Sequence, residues 1–496
     1  MSDALAHILE GPIRGIRGQG VDRFLGVPYA AAPVGPRRFA PPTAHEGWTE
    51  VRDASAPGPS APHSVKPFPG LDVEPLIGSG WRKGDDYLNA NIWAPEGAAP
   101  GDRLPVMVWI HGGGFVIGSN FASIQDGSAF ARSGTVCIAI NYRMGVEGFL
   151  PIPGVPTNLG LRDILFALHW VRDNAAAFGG DPGNVTIFGE SAGAMAIADL
   201  ITSPLADGLF RRAIVESGHG SMVRPVQVAQ RLVRKVARLL DVAPDEAGFR
   251  SASPEACVSA VEKVSLPTTR IDLRDDQGRE PVFGISRFVP VYGDDVLPEK
   301  PLEALAKGAG AGVELLIGTN AEEMNLYMVP TGVRDTIGGL LAWYVLGRSQ
   351  PDARKALKAY GLGSKGIKPG QALTDAMNDL VFRWPARRFA EEHRGRTHFY
   401  EFDWRSPAFG GELGASHGME LPFVFDTLAS VTGEQGLVGT APPQALADRV
   451  HRLWVAFATD GRLPWAEYDR ETRQVYSLEK GEAAHEPVMP AAAFLP

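Results

Sequence analysis

Cysteine is nearly absent. Cys137 and Cys257 are the only two in 496 residues, too few for a disulfide framework. Long apolar runs are missing as well: no stretch approaches the roughly 20 residues that span a bilayer. The first residues, Met1 to His7, have neither the basic stretch nor the apolar core of a leader peptide. A cytoplasmic location is expected, although a processed secreted form would read the same. Basic charge is in deficit, 48 Lys and Arg against 57 Asp and Glu for a net charge of −9, which argues against nucleic acid and anionic membranes as partners. Neither His-Glu-x-x-His nor paired Cys-x-x-Cys nor a Gly-x-x-x-x-Gly-Lys loop occurs. No metal and no cofactor is therefore expected. Repeats and linkers that would separate folding units are also missing.

What is present is an ordinary globular composition, 44% hydrophobic and 21% charged. Short apolar runs broken by glycine over residues 5–30 suggest hairpins, and the proline-rich stretch from Pro28 to Pro69 suggests irregular loop. Leu88–Trp93, Val106–Ile110, Val136–Asn141, Val185–Phe188, Ala213–Val215, Glu314–Gly318 and His398–Trp404 read as strands. Leu161–Phe178 repeats apolar residues at the spacing of one helical face, and Gln444–Thr459 reads as an amphipathic helix. Strands alternating with helices imply an α/β fold built on a mostly parallel sheet. Residues 223–287 and 332–395 are helical and polar. They are expected to be insertions that wall a pocket above the strand ends of one domain, residues 1–496.

The chemistry centres on Asn184–Gly193. A β-branched and aromatic run, Val185–Phe188, leads into Gly189-Glu-Ser191-Ala-Gly193, followed by small, helix-permissive residues. This is the spacing of a nucleophile elbow, a strained strand-to-helix turn that leaves a serine hydroxyl standing clear of the sheet. A second Gly-x-Ser-x-Gly, Gly414–Gly418, has no strand before it, so context selects Ser191. Upstream, His111-Gly-Gly-Gly-Phe115 follows a strand, and its glycines let backbone N–H groups turn toward a developing negative charge. Gly113 and Gly114, with the N–H of Ala192, are the expected donors. Among eleven histidines, His417 lies downstream of both the elbow and the candidate acids, giving the order Ser, Glu, His. His219 is a competitor near a strand end, and His169 reads as a packing or surface residue. Either Glu322 or Glu323, in the loop after the Glu314–Gly318 strand, could orient the base, since neighbouring residues of an extended loop point opposite ways. Glu190 and Ser217 are expected to support the site from just outside it.

These motifs, in this order, resemble the type-B carboxylesterases, the family of cholinesterases and bacterial para-nitrobenzyl esterases. The likeness runs through Phe24-Leu-Gly-Val-Pro-Tyr-Ala, Gly35-Pro-Arg-Arg-Phe, Leu88–Trp93, His111–Phe115 and Asn141-Tyr-Arg-Met-Gly. It continues through Phe178–Gly193, Ile317-Gly-Thr-Asn-Ala-Glu-Glu323 and His417–Phe425, covering nearly the whole chain. The resemblance implies the α/β-hydrolase fold, with Ser191 as nucleophile, Glu323 as acid and His417 as base. It also implies structural ion pairs of Arg38 with Asp85 and of Arg143 with Asp163. Two departures stand out. Tyr87 replaces a cysteine that in the family closes a disulfide loop, and Ile164 follows Asp163 where the family has glutamine. Trp81 does not fit the spacing of a choline-gripping aromatic, so no choline site is expected.

The expected function is a serine carboxylesterase acting through an acyl-enzyme on small-to-medium esters. The same machinery suits an amidase, thioesterase or detoxifying hydrolase. A non-catalytic binding module of the same fold is the contrasting class, and retention of serine, glycine loop, glutamate and histidine argues against it. Oligomeric state is not legible, and a monomer is compatible with the sequence.

Overall fold

Pattern and burial agree strand by strand in the computed structural model, which describes residues 2–280 and 285–495. Ser2–Ile8 buries only alternate residues, Ala4, Ala6 and Ile8, as a strand with one wet face must. Val106–Ile110 and Val136–Ile140 are buried throughout, because helices cover the sheet on both sides there. The two patterns belong to one 13-stranded sheet. Across it the strands run Ser2–Ile8, Gly11–Gly18, Val21–Pro28, Asn89–Pro95, Val136–Ile140, Leu104–Ile110, Gly180–Glu190, Arg212–Glu216, Glu314–Asn320, Thr397–Phe402, Gln474–Ser477 and Glu482–His485. The short Arg52–Asp53 pairs at the side of Gly11–Gly18.

From Val136–Ile140 to Gln474–Ser477 every pairing is parallel, and the N-terminal hairpins add antiparallel strands at one edge. Parallel neighbours put their C-terminal ends on one side of the sheet, where ligand sites of α/β proteins gather. The helices Leu159–Asn174 and Ala192–Thr202 cover the sheet from one side, the second buried along its whole length.

The stretch 223–287 forms the helices Val226–Leu240, Glu246–Ser251 and Pro254–Ser265. The helical pattern expected to Arg287 stops at Ser265. Pro267 and the turn at Asp275–Gly278 interrupt it, and residues 281–284 lie outside the described residues. In 332–395 five short helices alternate with turns, and Asn378–Arg383 is a π-helical turn leading into Trp384–Glu392.

One expected ion pair is replaced. Arg38 does not meet Asp85, which is exposed on a surface turn. Its Nε lies 2.7 Å from Oε1 of Glu147 instead, an acid carried inward by the short helix Gly145–Phe149. A half-buried guanidinium needs a counter-charge at its own depth, and only Glu147 supplies one. The other oxygen of Glu147 accepts the hydroxyl of Tyr87 at 2.8 Å. The residue standing in the cysteine's place is thus tied into the core by a hydrogen bond. Arg143 and Asp163 do pair, Nη2 to Oδ1 at 2.6 Å and Nε to Oδ2 at 2.8 Å, both side chains almost fully buried. Both cysteines are free, Cys137 in a central strand and Cys257 in the Pro254–Ser265 helix.

Candidate active site

Ser191 stands between the strand Gly180–Glu190 and the helix Ala192–Thr202, with φ 55° and ψ −122°, a conformation that L-residues avoid. The turn holds because its ends are tied: the Ser191 N–H bonds the Glu216 carbonyl at 2.9 Å, and the Ser191 carbonyl accepts Met195 N–H at 2.8 Å. Glycine at 193 is obligatory on steric grounds. A Cβ there would lie 1.9 Å from the Ile110 carbonyl oxygen.

The hydroxyl faces His417, Oγ to Nε2 at 2.8 Å. Nδ1 of that ring lies 2.7 Å from Oε2 of Glu323, whose other oxygen accepts the Asn320 N–H at 2.8 Å. Glu323 is fully buried. Glu322 points the other way, accepting the Ala415 N–H at 2.9 Å and pairing with Arg405, so the structure separates the two adjacent acids. Phe382 and Tyr327 hold the imidazole from the sides, ring centres 4.7 and 5.7 Å away.

Facing the serine is the loop His111–Phe115. Gly113 takes φ 104° and Gly114 φ 62°, a left-handed pair that turns successive N–H groups the same way. The N–H groups of Gly113, Gly114 and Ala192 have no hydrogen-bond partner among the described residues. The loop is anchored through His111, which stacks on Tyr142 at 4.5 Å while its carbonyl accepts the Tyr142 hydroxyl at 2.7 Å. Burial pushes that histidine down to about 4, so it stays neutral.

The electrostatics of His417 are unusual. Burial alone lowers its affinity for a proton, yet Glu190, Glu323 and Glu420 together outweigh burial and carry it up to about 9. Glu190 Oε1 is 3.0 Å from Nε2. Burial raises Glu190 to about 7, against the pull of His417. It raises Glu420 to about 8, with the charges of Glu190 and Glu323 adding to the effect. Glu216, whose Oε1 accepts the Trp454 N–H at 3.0 Å, is held well above the usual carboxylate range by burial and then by Glu420. Glu190, Glu323 and Glu420 thus act on one imidazole, and burial makes Glu190, Glu216 and Glu420 hold their protons more tightly than isolated carboxylates do. Ser217 adjoins this cluster at φ 54°, its N–H bonded to the Gly318 carbonyl.

Other sequence candidates lie elsewhere. His219 is buried with Nε2 2.7 Å from the Val381 carbonyl, His169 is half-buried on the Leu159–Asn174 helix, and the Ser416 hydroxyl meets no partner. Trp81 packs under Lys83. Sequence reading missed Glu216, Glu420, Tyr327 and Phe382. Glu216 carried a usable signal, an acid at the C-terminal end of a parallel strand. Phe382 carried none, because a distant helical turn delivers it.

The serine lies in a cavity of about 150 Å³ walled mainly by apolar side chains, among them Phe68, Leu76, Val116, Leu326 and Tyr327. A second cavity of about 280 Å³ shares its walls at Phe68, Ile77, Val116 and Ile117, and reaches Met144 and Val258.

A wide, largely parallel sheet with a serine on a strained strand-to-helix turn defines the α/β-hydrolase fold. Comparisons with known proteins narrow this further. A model of the carboxylesterase family matches residues 2–491. The chain is 34% identical over 490 residues to the para-nitrobenzyl esterase of Bacillus subtilis (strain 168), covering 95% of this chain and 93% of the other. It is 34% identical over 469 residues to the phenmedipham hydrolase of Pseudarthrobacter oxydans, covering 92% and 90%. A solved para-nitrobenzyl (PNB) esterase superimposes with a TM-score of 0.84 at 31% identity over the full length of both chains. A carboxylesterase of Geobacillus stearothermophilus does so with 0.82 at 32%, covering 99% of each. The chain belongs to the carboxylesterase family and is a carboxylic ester hydrolase.

Proposed function

We propose that Ser191, His417 and Glu323 hydrolyse carboxylic esters through an acyl-enzyme. The observation that carries this reading is the unbroken hydrogen-bonded chain from Oγ through the imidazole to a buried carboxylate, opposite three unpartnered N–H groups. Neutral His417 accepts the serine proton at Nε2 as Oγ attacks the ester carbonyl. The new imidazolium is stabilised by Glu323 at Nδ1 and by Glu190 at Nε2. Negative charge on the former carbonyl oxygen falls to the N–H groups of Gly113, Gly114 and Ala192. His417 then returns the proton to the departing alcohol, and water repeats the sequence on the acyl-serine. The 223–287 and 332–395 stretches act as the cover of one catalytic domain, a reading that Ile285 in the pocket wall and Phe382 against the imidazole support.

The two cavities that share walls favour an ester with one small group beside the serine and a larger apolar group in the adjoining space. Preference should follow shape more than charge. An organophosphonate probe should add one covalent mass, on the peptide holding Ser191, and abolish turnover in step. Labelling of Ser416 instead, or label without inhibition, would overturn the assignment. p-Nitrophenyl esters run against matched anilides separate esterase from amidase.

A further inference from the structure

The helix Gly339–Gly347 is apolar throughout, Gly-Leu-Leu-Ala-Trp-Tyr-Val-Leu-Gly, yet it lies on the surface. Leu340 is 83% exposed, Leu341 54%, Trp343 50% and Tyr344 55%. At about 100° per residue these four share one broad face, opposite Ala342 and Leu346, which are buried. The helix packs through that inner side on Ala353–Ala359 and Pro369–Met377. A helix apolar all round normally sits in a core or in lipid. This one keeps half of its apolar surface in water, where four large side chains side by side are costly.

The flanking sequence says what the face fits. Arg348, Arg354, Lys355, Lys358, Lys365 and Lys368 follow within 21 residues, against the single acid Asp352. All but Arg348 are exposed. Lys355 and Lys368 pair with Asp352 and Asp335, whereas Arg354, Lys358 and Lys365 make no ion pair among the described residues. A strongly basic segment therefore follows the apolar helix directly and packs against it, in a chain whose overall charge is −9. The whole-chain deficit had spoken against anionic membranes; locally the sign is reversed. A second copy of the chain fits poorly, since a symmetric contact would set two basic segments against each other.

We infer that the Gly339–Gly347 helix and its basic flank dock this enzyme on an anionic lipid surface, lying in the interface rather than crossing it. Leu340 and Leu341 enter the acyl boundary, and Trp343 and Tyr344 sit at headgroup level, where amphipathic rings concentrate. The lysines and Arg354 meet lipid phosphates. Nine residues cannot span a bilayer. The chain enters this segment from Asn325–Met328, whose Leu326 and Tyr327 wall the serine's cavity. Docking would thus hold the enzyme where apolar esters partition.

The test is co-sedimentation with vesicles, independent of catalysis. The enzyme should pellet with 1:1 phosphatidylglycerol–phosphatidylcholine vesicles at about 0.02 M salt and be released at about 0.5 M. It should bind pure phosphatidylcholine vesicles at least roughly tenfold more weakly. Leu340→Ser with Trp343→Ser, and separately Lys358→Glu with Lys365→Glu, should each weaken binding about tenfold or more. Both double variants should keep wild-type turnover of a water-soluble ester and wild-type Tm, showing that they fold. No binding to anionic vesicles would overturn the inference, and so would binding that ignores lipid charge or either double variant. So would a concentration-dependent dimer in sedimentation velocity that Leu340→Ser with Trp343→Ser dissolves.

Discussion

Two buried charged regions of this molecule are built on opposite accounts. Beneath the N-terminal loops, Asp163 meets Arg143 through three hydrogen bonds, one of them from the Arg143 backbone N–H, and Glu147 meets both Arg38 and Tyr87. Each acid has a donor of matching depth. Around the serine, Glu190, Glu323 and Glu420 act on a single imidazole, with Glu216 buried within reach of the Glu420 charge. Pairing fixes a charge in place. A shortage of cations leaves protons mobile near pH 7, the property a general base and its neighbours need. The same residue type therefore serves stability in one region and, in the proposed mechanism, rate in the other.

The sharpest way to break that contrast is to neutralise one acid in each. Glu323→Gln should lower kcat/KM by up to about 10⁴-fold while leaving Tm nearly unchanged, because the amide oxygen can still accept the Asn320 N–H. Glu322→Gln, on the outward side, should cost far less; the reverse order would move the acid to Glu322. Asp163→Asn should do the opposite. Arg143 is left buried without its counter-charge, at a cost of about 3–5 kcal/mol in a urea titration, with kcat per titrated active site little altered. A severe loss of rate in folded Asp163→Asn would blur the division.

How much of this could be read beforehand follows from the range of each cause. Ser191, Gly113, Gly114 and the Val106–Ile110 strand are set by local sterics and pattern, and the sequence displays them directly. The choice of Glu323 over Glu322 needed a family resemblance, since alternation says only that the two point apart. Arg38 was given the wrong partner because depth, not position in a motif, decides which acid a guanidinium meets. Phe382 reaches His417 only through the packing of distant elements, about which local patterns carry no information.

Proton balance in the acidic cluster gives a smaller effect with a definite sign. When ionised, Glu190 lies beside Nε2 and raises His417. Glu190→Gln should therefore move the acid limb of the kcat/KM profile about one pH unit lower, so that more enzyme is active in mildly acid buffer. An unmoved limb would mean that another group sets it. The smallest effect concerns Glu216. Its carboxyl stays protonated in the fold where the unfolded chain, near its ordinary 4.5, releases the proton. Stability is therefore lost as pH rises above that value toward the folded one. Glu216→Gln keeps an acceptor for Trp454 and removes this loss. Its Tm should exceed the wild type's by roughly a few degrees at pH 8, with the difference closing near pH 4.

The proposed nucleophile, acid and base come from positions 191, 323 and 417, and they meet only because Gly180–Glu190, Arg212–Glu216, Glu314–Asn320 and Thr397–Phe402 lie side by side. A chain emerging from the ribosome holds its nucleophile and glycine loop early, while its base is still unmade. On the proposed mechanism, hydrolysis should therefore be silent in any half-assembled form, and its onset during refolding should mark the moment when the late strands take their places.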